Sequence, residues 1–484
     1  MSKSLPPHAE AQLTMKRRQW LKFSGSTLAS ALGATSLSSL MLTPSAAQTA
    51  DYRALVCVFL YGGNDGLNTV TPTDNTRYNE YAAVRAHLAL PQSSLVRLTG
   101  TDYGLHPSLS ALGTAWADGA LAPVFNVGPL YQPLTKAEYR AASNASQLIP
   151  DSLFSHSDQQ VLWETASTDA HTRTGWGGRA AAVLGTANPV ISVGGNGRFG
   201  LSELQGPLVL PAPGATFGIE GHQNLSWAPI AARKAALDAL YADSHQNKLL
   251  DAYAKQQRDA FATSDRLGAL VKTQPGDANA VSAITQAFAP LIVDGKVTTG
   301  IGQQLYQVAK LIHGNATVQG NRQIFFSQLG GFDTHGNQVA SNVLQGQHAS
   351  LLKMLGDAMA CFHNAMKAIG MAQQVTLFTQ SDFGRTFKPN NSSGTDHAWG
   401  NHHLVLGGAV KGRTTYGSYP TLALGGPDDV GVQSWELHGR WIPKVSVDQY
   451  AATLLKWFGA SDGQLDAVLP HLSNFGSQRV LGFL

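Results

Sequence analysis

The sequence has little charge, few cysteines and no long apolar run beyond its first segment. Only 13% of its 484 residues are charged, so we expect no long solvated helices, coiled coils or acidic disordered tails. Two cysteines are too few for a cysteine metal site. After residue 47, no stretch reaches the roughly 18 uninterrupted apolar residues that a membrane helix needs. We therefore expect no transmembrane span in the mature chain.

The net charge of +3 is unevenly distributed along the chain. Residues 1–47 contain five basic residues and one Glu, which is a net charge of +4, so the remainder carries −1. A nearly neutral body lacks the basic surface that binding to a phosphate backbone requires. We expect no nucleic-acid partner.

The first segment has the composition of an export signal. The basic stretch Lys16-Arg17-Arg18-Gln19-Trp20-Leu21-Lys22 precedes a weakly apolar stretch, and Pro44-Ser45-Ala46-Ala47 offers small residues for cleavage. Adjacent arginines are typical of a twin-arginine signal. We predict a twin-arginine signal peptide over 1–47, the twin-arginine translocation machinery as a partner, and a periplasmic or extracellular protein. An uncleaved N-terminal membrane anchor is the alternative.

The two cysteines lie in apolar patterns. Cys57 belongs to a strand-like run and Cys361 to a helical one, which predicts two buried thiols. A single disulfide is the alternative in an exported protein.

Apolar, β-rich runs alternate with helical patterns after residue 48. Strands are predicted at about 53–61, 121–127, 189–193, 323–329, 374–380 and 403–407. Helices are predicted at about 107–118, 157–168, 175–185, 345–369 and 446–458. Residues from about 194 to 315 form a predicted loop and helical insertion. This alternation predicts an α/β fold, with a three-layer α/β/α sandwich around a mostly parallel sheet in a single domain over 48–484.

Acids and imidazoles follow several of these strands. In open α/β sheets, ligands bind beyond the carboxyl ends of the strands, so we expect these side chains to converge on one rim. The candidates are Asp65, Ser155, His156, Asp333, His335, Asp382, Arg385, Asp396, His397, His402 and His403.

Carboxylate and imidazole ligands without thiolates suit zinc, with manganese or magnesium as alternatives. Two Asp residues on one rim would repel each other unless a cation lies between them. Asp333 and His335 are the strongest pair, because an acid and an imidazole two residues apart after a core strand can both bind one ion. The candidate metal ligands are Asp65, Asp333, His335, Asp382 and His397.

Ser155, His156 and Arg385 are the candidate catalytic residues. Ser155 lies where helix amides begin, and such a terminus stabilises a nearby anion and lowers the pKa of a hydroxyl that faces a metal. The arrangement suits displacement at a phosphoryl or sulfuryl centre. Alternatively, Ser155 or Ser157 is a helix N-cap, and Ser157 with Gln160 matches a capping box.

The other candidates also have structural interpretations. Asp65 in a Gly-Asn-Asp-Gly stretch is a good turn former, and Asp382 could cap the next helix. Arg385 could pair with Asp382 or bind an oxyanion. Asp396 and the neighbouring histidines could form a hydrogen-bonded loop.

Six motifs of the sequence resemble those of the exported DUF1501 proteins, in the same order along nearly the whole mature chain. They are Leu60-Tyr61-Gly62-Gly63-Asn64-Asp65-Gly66-Leu67-Asn68-Thr69, Phe154-Ser155-His156-Ser157, Gly175-Trp176-Gly177-Gly178-Arg179, Gly331-Phe332-Asp333-Thr334-His335, Ser381-Asp382-Phe383-Gly384-Arg385-Thr386 and Thr395-Asp396-His397. That family is similar to the alkaline phosphatase and sulfatase superfamily. The second resemblance implies an alkaline-phosphatase-like α/β/α sandwich and, in active members, two metal ions and a nucleophile at a helix start.

Carried over by position, Ser155 matches the nucleophile, and the five candidate metal ligands match the metal-binding positions. Two departures stand out. One residue separates Asp333 from His335, where the superfamily usually has three. Phe383 occupies the place where a His ligand normally follows the Asp. One metal site is therefore expected to be weakened, lost, or reassigned to Asp396 or His402.

Three functions are consistent with these patterns. The first is an exported metal-dependent hydrolase of phosphate or sulfate esters, including esters on a surface polymer. The second is a non-catalytic binding or secretion-associated protein on the same scaffold. The third, a cofactor-carrying redox enzyme, is suggested only by the export route.

Overall fold

The computed structural model describes residues 51–143, 146–218, 224–242 and 246–484. The predicted signal peptide over 1–47 lies outside these residues. Strands in the described part are β1 (Arg53–Leu60), β2 (Val70–Pro72), β3 (Val96–Arg97), β4 (Tyr103–Leu105), β5 (Leu121–Gly128), β6 (Ile191–Ser192), β7 (Leu208–Val209), β8 (Ile292–Val293), β9 (Lys296–Val297), β10 (Arg322–Leu329), β11 (Val375–Ser381), β12 (Asn401–Gly407), β13 (Tyr416–Gly417) and β14 (Val445–Ser446).

The helices surround these strands and also fill the stretch between β7 and β10. Helices in the described part are α1 (Gly66–Thr69), α2 (Asn75–Arg85), α3 (Gly113–Ala117), α4 (Lys136–Ala141), α5 (His156–Thr165), α6 (Trp176–Leu184), α7 (Ala228–Ala242), α8 (Lys248–Lys272), α9 (Ser282–Ala287), α10 (Gly300–His313), α11 (Asn315–Val318), α12 (Gln347–Ala368), α13 (Val447–Phe458) and α14 (Asp462–Val468). Eight 3₁₀ turns of three to six residues connect or extend the elements of this part.

Nine described strands form one central sheet. Its order is β13-β5-β12-β11-β1-β10-β6-β7, and β14 pairs with β5. The central strand β1 is parallel to both β10 and β11. Strand β12 runs antiparallel to both of its neighbours, β11 and β5. The sheet is therefore mostly parallel, with one reversed strand inside it.

The side chains of β1 divide the interior into two cores, because successive residues of a strand point to opposite faces. Ala54, Val56 and Val58 belong to one core together with α10 and α12. Leu55, Cys57 and Phe59 belong to the other core together with α5, α6 and α13. Helices thus cover both faces, which is compatible with a three-layer α/β/α arrangement and explains why β1 is a continuous apolar run.

The ends of the central strands bring distant segments together. Leu60, the last residue of β1, pairs with Leu329 of β10 and with Ser381 of β11. Because β12 is antiparallel to β11, the loop 382–400 returns to the same edge before β12 begins at Asn401. The turns after β1 and β10 and this loop, which follows β11, therefore share one edge of the sheet.

Local signals explain where the long helices begin and end. Ser446 and Gln449 form a capping box at the start of α13, and Gly459 ends that helix in the left-handed conformation. Ser155, rather than Ser157, is the N-cap residue of α5. The capping box predicted from Ser157 and Gln160 is therefore wrong, since Ser157 lies inside the helix.

Most predicted elements are present, with two differences. Contrary to the expectation from the low charge content, α8 is a long helix of 25 residues with only Ala254, Leu267 and Val271 buried. The stretch 194–315 is largely helical, but α10 is buried in the first core and covers the sheet as an integral layer. Cys57 and Cys361 are buried free thiols, as predicted. No helix of the described residues is long and apolar enough to span a membrane.

Candidate metal centre

Four side chains from three separate segments meet at this edge of the sheet. Their potential ligand atoms all lie within 4.8 Å of one another. Asp333 and His335 follow β10, His397 comes from the loop before β12, and His156 is the first residue of α5. We call these four residues the cluster.

The carboxylate oxygen Oδ1 of Asp333 faces the Nε2 atoms of all three imidazoles. It lies 3.2 Å from Nε2 of His156, 3.2 Å from Nε2 of His335 and 3.8 Å from Nε2 of His397. The Nε2 atoms of His335 and His397 are 2.6 Å apart. Two unprotonated nitrogens at this distance repel each other, so the pair needs a proton or a cation beside it.

Each histidine of the cluster is held through its other ring nitrogen. Nδ1 of His156 lies 2.7 Å from Oδ2 of Asp382, and Nδ1 of His335 lies 3.0 Å from Oδ1 of Asp396. Nδ1 of His397 donates to the carbonyl oxygen of Phe154 at 2.5 Å. An acceptor at Nδ1 fixes the tautomer in which Nε2 carries the free lone pair. All three imidazoles are thus oriented as Nε2 ligands.

Arg385 fixes the carboxylate of the cluster. Its Nη2 donates to Oδ1 of Asp333 at 2.6 Å and to the carbonyl of Phe332, while Nε and Nη1 donate to the carbonyls of Gly63 and Thr395. Burial alone would raise the pKa of Asp333, but the hydrogen bond and charge of Arg385 hold it below the ordinary value. Asp333 is therefore ionised at neutral pH.

The imidazoles differ in their affinity for protons. The hydrogen bond to Asp382 is the main reason why the pKa of His156 is raised, whereas burial lowers the pKa of His397. His397 is therefore neutral at pH 7. A divalent ion would displace any proton on Nε2 of His156, because metal ligands must be deprotonated.

The arrangement fits a divalent ion in its donor set and in its spacing. Zinc bonds of about 2.0–2.1 Å in a tetrahedron place ligand atoms about 3.3 Å apart, close to the two 3.2 Å separations from Oδ1 of Asp333. Nε2 of His156 is buried and has no hydrogen-bond partner among the described residues. Three imidazoles and one carboxylate suit zinc, and the residues present could hold one ion.

Phe154 has an unusual backbone conformation at the edge of the cluster. Its φ is +76°, in the left-handed region that side-chain-bearing residues rarely adopt. This turn directs the Phe154 carbonyl toward Nδ1 of His397 and places Ser155 and His156 at the start of α5. Such strain persists where the surroundings hold it in place, and it is common at functional sites.

The structure places Asp65 outside the cluster. Its fully buried carboxylate pairs with Arg85 at 2.6 and 2.9 Å and accepts a hydrogen bond from Gln338 at 2.6 Å. Burial would raise the pKa of Asp65, but Arg85 lowers it below the usual value. In place of the predicted metal ligand, Asp65 is the acidic partner in a buried ion pair.

Asp382 contacts Nδ1 of His156, on the other side of the imidazole ring from Nε2, so it orients His156 and is not part of the cluster. The carboxylate is completely buried and also accepts hydrogen bonds from Gln160 Nε2 at 2.9 Å and from Gly62 N at 3.1 Å. Arg385 pairs with Asp333 rather than with Asp382, and its side chain has no exposed surface. It therefore cannot bind a substrate oxyanion directly.

Ser155 lies beside the cluster as the N-cap residue of α5. Its side chain makes no capping hydrogen bond, and its Oγ lies 3.1 Å from Oγ of Ser157. His402, expected as a substitute ligand, is buried, and its Nδ1 accepts from the amide of Asn126. Asp396, the other expected substitute, holds His335 from outside the cluster.

Sequence reasoning missed the residues that support the ligands. Gln160 lies one helical turn after His156 and reaches the same carboxylate of Asp382, so its spacing of four residues was an available signal. Asn390 donates to both the Asp396 carboxylate and the His335 carbonyl, and no pattern in the sequence marks it. No sequence pattern marks the carbonyl of Phe154 as a supporting group either.

A family model described as "Protein of unknown function (DUF1501)" matches residues 52–463. No curated protein matches the chain.

Proposed function

Because the chain belongs to the DUF1501 family, which has no established activity, we propose its function from the site itself: a metal-dependent hydrolase of phosphate or sulfate esters. The observation that carries the proposal is the set of three histidines whose Nδ1 atoms are all held by oxygen, so that their Nε2 atoms face one carboxylate oxygen. Zinc is the expected ion, with manganese or magnesium as alternatives.

A bound divalent ion would supply a Lewis acid and a water whose pKa falls to about 7. The chain's own residues perform the remaining tasks. Asp382 and Asp396 orient His156 and His335, and Arg385 holds Asp333. Ser155 remains the candidate nucleophile, since its hydroxyl is not used to cap α5. Side chains of Asp333 and His335 are 51% and 44% exposed, which suits an ester carried on a larger molecule such as a surface polymer.

The alkaline-phosphatase-like assignment is part of this proposal. The order of the motifs and the mostly parallel sheet support it. The ion pair between Asp65 and Arg85 removes one expected ligand, so we propose one metal ion per chain rather than two. Export by the twin-arginine route is also proposed, on the basis of Arg17, Arg18 and the small residues before position 48.

Metal content tests the proposal. Protein purified without chelator should contain about one divalent ion per chain by elemental analysis. His335→Ala and Asp333→Ala should lose it, while His87→Ala, at an exposed position outside the cluster, should retain it. Unchanged metal content in the cluster variants would overturn the metal site.

Turnover separates catalysis from binding. The metal-loaded protein should hydrolyse an aryl phosphate or an aryl sulfate, and Ser155→Ala should lower kcat more than about 100-fold with unchanged metal content. Full activity in Ser155→Ala would show that water, not Ser155, is the nucleophile. Bound metal without any turnover would favour the non-catalytic binding protein.

A further inference from the structure

Arg440 is a cation without a carboxylate partner at the edge of the cluster. Its Nε donates to the carbonyl of His397 at 2.9 Å, and its guanidinium lies 4.6 Å from the ring centroid of Phe154. No carboxylate of the described residues forms an ion pair with it, although Asp396 and Asp429 act on its charge at longer range. Its two terminal amino groups have no hydrogen-bond partner in this part of the chain.

The side chain of Arg440 is held in place by two contacts, although no carboxylate forms an ion pair with it. The stack on Phe154 and the bond to His397 both involve residues that position the third imidazole of the cluster. A planar guanidinium held in this way loses little freedom on binding and can donate two parallel hydrogen bonds to a tetrahedral oxyanion. By contrast, Arg385 is buried and its nitrogens already donate within the protein.

The charges around the site leave Arg440 able to attract an anion. The carboxylates of Asp333, Asp382 and Asp396 are balanced by Arg385 together with one divalent ion. Asp429, which accepts a hydrogen bond from the backbone amide of Arg440, offsets the charge of Arg440 formally but does not form an ion pair with its guanidinium, so the guanidinium can still favour an anionic group over a neutral one. The uncapped start of α5 adds further hydrogen-bond donors next to Phe154.

Resting on the proposed metal centre, we propose that Arg440 binds the non-bridging oxygens of the substrate's phosphate or sulfate group. This assigns a phosphate or sulfate monoester, which presents charged terminal oxygens, as the substrate class in preference to a neutral ester. Arg440 acts as a substrate-binding residue and is not a metal ligand.

Binding of inorganic phosphate to the zinc-loaded protein tests the assignment without requiring turnover. Calorimetry on wild type, Arg440→Met, Arg440→Lys and Arg97→Met, an exposed control on β3, gives four dissociation constants, with zinc content measured for each. We expect Arg440→Met to weaken phosphate binding about 10- to 100-fold, Arg440→Lys to weaken it less, and Arg97→Met to match wild type. Equal affinity in Arg440→Met and wild type, or no phosphate binding by the zinc-loaded wild type, would overturn the proposal.

Kinetics then identify the source of the anion and keep the two proposals apart. KM for an aryl phosphate and an aryl sulfate should rise in Arg440→Met, and the substrate with the larger rise is the one that Arg440 recognises. A zinc-containing, active enzyme whose KM values do not change in Arg440→Met would leave the hydrolase standing and refute the role of Arg440. If phosphate binding depends on Arg440 but the protein shows no turnover, the role of Arg440 in anion binding stands and the hydrolase proposal is refuted.

Discussion

At the residue scale, the geometry of the cluster depends on supporting groups outside it. Each imidazole uses Nδ1 to hold its orientation, and the acceptors are Asp382, Asp396 and the carbonyl of Phe154. Such supporting groups are commonly worth 10- to 100-fold in metal affinity. Their removal should therefore weaken the metal site without unfolding the protein.

Asp382→Asn should lower zinc affinity by about 10- to 100-fold. The amide removes the charge that fixes the tautomer of His156, although it can still accept one hydrogen bond. Competition with a chromogenic chelator measures the change. The matched control is Asp158→Asn. Asp158 lies in the first turn of α5, close to His156 in sequence, and is not part of the cluster. Equal zinc affinity in the two variants would refute the supporting role of Asp382.

A second residue-scale prediction concerns Asp448, which lies on α13 away from the cluster. Burial raises the pKa of Asp448 from the ordinary value of 3.8 to about 7. The folded state therefore binds this proton more tightly than the unfolded chain does. The stability that it contributes is complete below pH 4 and is lost as the pH rises through 7.

Asp448→Asn should remove this dependence, because an amide stays neutral and can still accept from the amide of His471. At pH 8 its free energy of unfolding should exceed that of wild type by up to about 4 kcal/mol, and the difference should vanish near pH 3. Denaturant unfolding at several pH values measures it. Asp294→Asn, at an exposed turn, should differ little from wild type at any pH. A difference for Asp448→Asn that did not vary with pH would contradict the account.

At the element scale, loops at the strand ends carry Asp333, His335 and His397, and the start of α5 carries His156. Gly62, directly after β1, has a φ of +112°, and a Cβ there would lie 2.3 Å from the backbone nitrogen of Asp333. The turn after β1 thus fits against the turn after β10. Because Gly62 also donates its N–H to Asp382, one small residue holds two of the three loops in position.

Gly62→Ala should destabilise the fold by about 1–3 kcal/mol and reduce metal occupancy, since the added Cβ displaces Asp333. Thermal unfolding and elemental analysis measure the two effects. Gly113→Ala, at the start of α3 where a Cβ has open space around it, is the control and should be neutral or slightly stabilising. Normal metal content in Gly62→Ala would show that the close approach of the two turns is not required.

The elements themselves were largely predictable from sequence, and their pairing was not. The apolar run of β1 and the caps of α13 are local signals, which periodicity and capping residues reveal. The reversal of β12 is a property of the loop 382–400 and of packing against β5, which no local pattern encodes. For the same reason, α10 could not be distinguished from an inserted helix before its burial was known.

At the scale of the whole molecule, the cluster joins segments that are distant in sequence. His156 and His397 are separated by about half of the chain, yet both meet Asp333. The sequence predicted the convergence of Asp333, His335 and His397 because parallel strands end at one edge. It could not predict that Asp65 would pair with Arg85, since any buried carboxylate at such a turn can take either a cationic side chain or an ion.

Metal binding should therefore stabilise the entire fold. A ligand that binds only the native state adds about 2.7 kcal/mol when its free concentration is 100 times Kd. Thermal unfolding with added zinc should show a higher Tm than unfolding after chelation, and His335→Ala should lose this difference. The two apolar cores do not involve the cluster, so the chelated protein should remain folded. An identical zinc response in His335→Ala would indicate binding elsewhere.

The location of the ion tests the central claim most directly. Crystals grown with zinc, measured at the zinc absorption edge, should show one strong anomalous peak about 2.0–2.1 Å from Nε2 of His156, His335 and His397 and from a carboxylate oxygen of Asp333. A peak at other residues, or no peak among these four side chains, would contradict the account.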